Sequence, residues 1–204
     1  MTFSIGRRLG AAILALFAVT SIAHAQGTVR LRGTVEQLEG PSYVVKLSNG
    51  SEAKLSLTDN ALVVAIVRAE LSDIKPGSFI GTTGLPQADG SQKAIEVHIF
   101  PEAMRGTGEG HYAWDLRPQS TMTNANVDQT AAGVDGQILT LKYKDGEKKV
   151  LVTPETMIVT YVRGDRAEII PGTKIFISAA TKQADGSFQT ARINYGKDGL
   201  GPPM

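Results

Sequence analysis

The sequence predicts an all-β protein. Two tandem, small, OB-like five-stranded barrels, each with a short helical turn between its third and fourth strands, follow an N-terminal signal helix. Three observations predict this. Apolar and polar residues alternate with a period of two along several short stretches. The same turn motifs recur, in the same order, about 96 residues apart. Finally, the first 25 residues have the make-up of an export signal.

The export segment comes first in the chain. Arg7 and Arg8 supply a positive start, Leu9 to Ala23 is mostly apolar, and Ala23-His24-Ala25 fits the small-x-small rule for cleavage before Gln26. The apolar run is short for a membrane span, which needs roughly 20 residues. Residues 1–25 are therefore expected to be removed on export to the periplasm or the exterior. The context around the arginines fits a twin-arginine signal poorly, which favours the general secretory route. No later stretch is apolar enough to cross a bilayer as a helix, so stable membrane insertion after cleavage is not expected.

Three motifs carry the internal repeat. Val45 to Gly50 (VKLSNG) is matched by Leu141 to Gly146 (LKYKDG), 96 residues later. Asp73-Ile74-Lys75-Pro76-Gly77 is matched by Glu168-Ile169-Ile170-Pro171-Gly172, 95 residues later. Gln87-Ala88-Asp89-Gly90-Ser91 returns unchanged as Gln183-Ala184-Asp185-Gly186-Ser187, again at 96. Three matches in register imply a duplication, with modules at 26–100 and 122–197 and a tail at 198–204 expected to be flexible.

Within the first module, Val29, Leu31, Gly33 and Val35 alternate with polar residues, as in a half-buried strand. Val44–Leu47 and Ala53–Leu57 flank Asn49-Gly50, a hairpin signal because both turn positions favour positive φ. Leu62–Val67 reads as a buried strand, and Ala69–Ile74 as a short helical turn stopped by Pro76-Gly77. Phe79–Leu85 and Ala94–Phe100 form a second hairpin around Asp89-Gly90. Strands over Gln137–Tyr143, Lys149–Thr153, Ile158–Val162, Ile175–Ala180 and Thr190–Tyr195 repeat the course. An SH3-like barrel or a sandwich is the structural alternative.

These motifs, with Gly33-Thr34-Val35, Leu71-Ser72 and Ala94-Ile95-Glu96-Val97, resemble the domain-of-unknown-function 5666 family of exported bacterial β modules. The resemblance covers both modules and implies an OB-like barrel outside the cytoplasm. Its motifs are turn and core residues, so it supplies no catalytic residues. The second module departs from the pattern at Ala125-Asn126 and at Ile170.

The connector, residues 101–121, holds the only tryptophan, Trp114, and has no counterpart after the second module. Its aromatics predict order rather than a solvated linker. Arg105, Glu109, His111, Tyr112, Trp114, Asp115 and Arg117 are the candidate ligand-binding residues, suited to stacking on a sugar or peptide; the competing reading is a tryptophan that seals the gap between barrels. His98, Met104 and His111 are the alternative metal set, although their spacing fits no established motif. His98 alternates with Val97 and Ile99 and is expected to face solvent. Gly106 to Gly110 reads as tight turns more readily than as a phosphate cradle.

Composition narrows the function classes. The net charge of +1 becomes −1 when Arg7 and Arg8 leave, which disfavours nucleic acid as a partner. The absence of cysteine excludes disulfides, thiol catalysis and Cys-ligated metals. No nucleophile signature surrounds His111 and Asp115, and nothing places Glu102 opposite Glu109 for glycoside chemistry. The expectation is a non-catalytic periplasmic binding or interaction module without a cofactor, its partner a glycan, peptide or envelope protein. A metal-handling protein is the alternative, and an envelope hydrolase the more remote one.

Overall fold

The computed structural model describes residues 27–204; the expected signal segment lies outside the described residues. Twelve strands run in chain order: β1 (Thr28–Glu39), β2 (Ser42–Leu47), β3 (Glu52–Arg68), β4 (Phe79–Pro86), β5 (Gln92–Ile99), β6 (Gly110–Ala113), β7 (Thr121–Gly133), β8 (Gly136–Tyr143), β9 (Gly146–Val152), β10 (Met157–Arg163), β11 (Lys174–Lys182) and β12 (Phe188–Gly196). The helical elements among the described residues are four single 3-10 turns. Two of them, Leu71–Asp73 and Arg166–Glu168, sit where the helical turns are expected.

Local chemistry explains the hairpins. Gly90 and Gly186 hold φ of 82° and 85°, the left-handed region that favours glycine. Beside them Asp89 Oδ1 accepts from the Ser91 amide and hydroxyl, and Asp185 Oδ1 accepts identically from Ser187. These Asx-type bonds satisfy the turn locally. The segments 53–57 and 62–67, expected as separate strands, are one strand, β3. Its first part pairs with β2 and its second with β10, while β12 runs beside both.

A five-stranded ring closes as β1–β2–β3–β12–β11 and back to β1. Its core holds Leu31, Val35, Leu55, Ile177, Ile193 and Tyr195 among others. The strands β5, β4, β7, β8 and β9 follow the same order, and β9 returns to β5 through Gln92↔Val150 and Lys93↔Leu151. That second ring encloses Ile80, Val97, Ala125, Leu139 and Val150.

The expectation that each module closes on its own strands is corrected here. The ring containing β1–β3 is completed by β11 and β12, and the ring containing β7–β9 by β4 and β5. The two Pro-Gly turns make the exchange reciprocal. Gly77 N donates to Val127 O and Val127 N to Ser78 O; Gly172 N donates to Val35 O and Val35 N to Thr173 O. Each turn thus docks on the first strand of the other half. The physical reason lies in β3, which continues past a bulge after Leu57 into its pairing with β10 instead of folding back. Val64–Arg68 pairs antiparallel with Val159–Arg163, centred on Ile66↔Tyr161. That extended path carries β4 and β5 across to the second ring.

A third cluster fills the gap between the rings: Ile66, Met122, Val159, Phe176, Leu200 and Met204 are buried there. The tail expected to be flexible is therefore packed. Leu200 and Met204 are apolar side chains with a cavity to fill, and Arg32 Nε donates to Met204 O at 2.8 Å.

Candidate functional site

Outward-facing side chains of one ring meet those of the other around a cavity of about 180 Å³. His98 reaches it from β5, Asn124 and Met122 from β7, and Tyr161 from β10. Arg192 and Asn194 come from β12, Phe176 and Ser178 from β11. The connector supplies Met104, Tyr112 and Trp114. Alternation along each strand explains the lining: Val97 and Ile193 point into the ring cores, so their neighbours point out, here toward the opposite ring.

His98 is thus corrected. It does turn away from its ring's core, yet only 3% of it is exposed, because the outside of one ring is the inside of the joint. Its Nδ1 lies 3.0 Å from Glu96 Oε2, and Glu96 itself is fully buried. Glu96 Oε1 also accepts from the Thr83 amide at 2.9 Å and the Thr83 hydroxyl at 2.7 Å. A Cβ at Gly81 would collide with His98 Nε2 and Asn124 Oδ1, so glycine there makes room for both. Phe100 and Tyr161 stand edge-on to the imidazole.

Arg192 occupies the matching position in the other ring, 96 residues after Glu96. Its Nε donates to Asn194 Oδ1 at 3.1 Å, and its Nη2 meets only the weakly accepting Met104 Sδ at 3.8 Å. Among the described residues no carboxylate lies within ion-pair distance of it. Burial pulls the guanidinium's pKa down, with only Tyr161 opposing. Burial in turn pushes the Tyr161 hydroxyl up, and the nearby Glu96 charge adds to it.

Two polar atoms of the lining residues are buried without a hydrogen-bond partner, Trp114 Nε1 and Asn124 Oδ1. The Asn124 amide nitrogen is satisfied, donating to Thr107 O at 3.1 Å and to the Tyr112 hydroxyl at 3.2 Å. Leaving such an atom unpaired costs about 1–3 kcal/mol.

The connector residues singled out in the sequence divide. Tyr112 and Trp114 line the cavity, with Arg30 over the indole at 4.0 Å. Asp115 ties the connector to the first ring through Arg32 at 2.8 Å, a bond that holds its carboxyl below the usual range. Arg105 grips both carboxylate oxygens of Glu102 and also Gly77 O, anchoring the Pro-Gly turn. Glu109 accepts from the Lys144 amide. His111 Nδ1 lies 2.8 Å from the Thr123 hydroxyl, and burial, then Lys148, holds its pKa down. Arg117 lines a separate surface hollow with Leu85 and Glu155. Of the metal set, His98 and Met104 share the cavity and His111 does not. Among the described residues no three His, Asp or Glu side chains group as metal ligands.

Sequence reasoning missed Asn124, Tyr161 and Arg192. All three lie in the second module, on β7, β10 and β12, but β12 completes the first ring and β7 belongs to the second, so only the exchanged pairing brings them together across the joint. A larger groove of about 810 Å³ lies on the other side of Met104 and Tyr161, lined by Leu62, Val63 and Val162. It contains neither unpartnered buried atom. No family model, curated protein or solved structure matches this chain.

Proposed function

We propose that the mature chain is a non-catalytic binding module of the bacterial periplasm. It is built from two OB-like barrels that have exchanged their last two strands, and the inter-ring cavity is its ligand seat. The observation that carries this reading is Arg192, a partly buried guanidinium that lines the cavity and meets only an asparagine oxygen and a thioether. A confined cation with no counter-charge suits a guest that supplies one.

The histidines favour binding over catalysis. His98 has an orienting carboxylate, yet among the described residues no hydroxyl hydrogen-bonds to it. His111 has a hydroxyl partner in Thr123 and no carboxylate. A nucleophilic relay needs both on one imidazole. A cation-handling role is disfavoured by Arg192, whose positive charge lines the same cavity as His98 and Met104.

Trp114 emission in the mature protein tests the seat against a panel of small organic acids, glycan fragments and short peptides. A binder should shift that emission and raise the melting temperature, since a ligand held only by the native state stabilises it. An unchanged Trp114 spectrum across the panel would reduce the cavity to packing.

A further inference from the structure

The cavity's chemistry specifies its guest, on the premise that it is the ligand seat. We propose that it takes a small aromatic monocarboxylate bearing one hydrogen-bond donor, with the carboxylate on Arg192 and the ring among the aromatic and thioether side chains.

Charge gives the first argument. Among the described residues, Arg192 and His98 are the only Asp, Glu, Lys, Arg or His side chains in the lining. His98 is already engaged by Glu96, whereas Arg192 meets no acid. One unmatched cation in a confined, half-dry space calls for one anionic charge. A dianion would bring in an excess charge, and a neutral sugar would leave the guanidinium unanswered.

Geometry gives the second. Asn194 holds Nε of Arg192 and fixes the plane of the guanidinium. The terminal nitrogens keep free N–H groups, because Met104 Sδ is a poor acceptor. A planar carboxylate matches such a fork.

Shape and the polar lining groups give the rest. Phe100, Trp114, Tyr161, Phe176, Met122 and Met204 supply flat or pliable apolar surface. The volume of about 180 Å³ suits a single six-membered ring, since a cavity of about 150 Å³ in another protein holds benzene. The Tyr112 and Ser178 hydroxyls line the same cavity, and either can accept from a ring hydroxyl of the guest.

Four probes of one size test this on the mature protein: benzoate, 4-hydroxybenzoate, benzyl alcohol and benzylamine, read by calorimetry and Trp114 emission. The carboxylates should bind at least about tenfold more tightly than the alcohol or the amine, and 4-hydroxybenzoate more tightly than benzoate. Arg192→Gln should weaken carboxylate binding at least about tenfold while leaving benzyl alcohol within about twofold, and Arg192→Lys should recover part of the loss. If the glutamine variant does not fold, the four probes on the unaltered protein still decide the matter. Equal binding of benzyl alcohol or benzylamine, with Trp114 responding, would overturn the anion assignment and leave the seat standing. Silence from all four would also overturn it, and the wider panel would then judge the seat separately.

Discussion

Glu96 and Arg192 stand 96 residues apart, in matching strands of the two rings, and both sit on the outward face toward the joint. Their fates differ. Glu96 is fully buried and answered by the Thr83 amide, the Thr83 hydroxyl and His98. Arg192 is partly buried and answered by one asparagine oxygen and a thioether. One position therefore closes the structure and the other stays open to a guest. Backbone geometry does not separate them, because both belong to antiparallel hairpins, β4–β5 and β11–β12, grafted onto the opposite ring. The difference lies in which side chains the partner strand offers: Gly81 faces His98, and Phe176 faces Asn194.

Removing the two charges in turn separates a structural position from an open one. Glu96→Ala should cost about 3 kcal/mol or more, because it strands two donors of Thr83 and the His98 ring in a dry joint. Arg192→Gln should cost less, about 1 kcal/mol, since it leaves only the Asn194 Oδ1 acceptor to be re-satisfied and the glutamine amide offers a donor in its place. Urea melts of the two variants measure the contrast, and equal losses would show that Arg192 is as structural as Glu96. Unfolding should be a single transition, because each ring contains strands from both halves.

A second contrast concerns matching residues on the first strands of the two rings. Gly33 and Ala125 are equivalent, each two residues before the valine that docks the opposite Pro-Gly turn. A Cβ at Gly33 would run into Lys46 O and Val45 Cγ1, while Ala125 already carries one. Gly33→Ala should therefore destabilise by about 1–3 kcal/mol through overpacking. Ala125→Gly should cost only about 1 kcal/mol through lost burial and added chain entropy. A Gly33→Ala variant as stable as the parent would show that the first ring relaxes where its close contact says it cannot.

The smallest effect concerns the connector's hold on the first ring. Arg32 hydrogen-bonds Asp115 and lowers its pKa, with the Arg32 and Arg30 charges assisting and desolvation opposing. A depressed carboxyl contributes stability above its unfolded value of about 3.9 and loses it as pH falls through the folded value. Asp115 is about half exposed, with 49% of its side chain open, so screening keeps the contribution under about 1 kcal/mol. Asp115→Asn should lower the melting temperature by about 2–4 °C or less at pH 7. The gap to the parent should narrow as pH is lowered through about 4 toward 3, and a gap that held constant would remove Asp115 from the strap's anchoring.

Alternation along Val29–Val35 and the turn motifs at Asn49-Gly50, Asp89-Gly90 and Asp185-Gly186 made strands and hairpins legible, because each rests on contacts within a few residues. Trp114 and Tyr112 were legible as cavity-lining candidates because aromatics in a connector need a surface to cover. Arg192, Asn124 and Tyr161 were not, since alternation says only that a side chain leaves its own core, not what it meets outside. His98 shows the same limit: its direction was readable and its burial was not.

The all-β character, the hairpin turns and the spacing that relates the two halves are all readable from the order of residues. Short-range sterics and hydrogen bonds suffice for those. Which half completes which ring depends on long-range pairing instead. Docking Gly77 on Val127 and Gly172 on Val35 satisfies the same bonds that docking within a half would, so local chemistry is indifferent to the choice. The continuation of β3 into β10 breaks that tie, and with it creates the joint where Arg192 meets no acid.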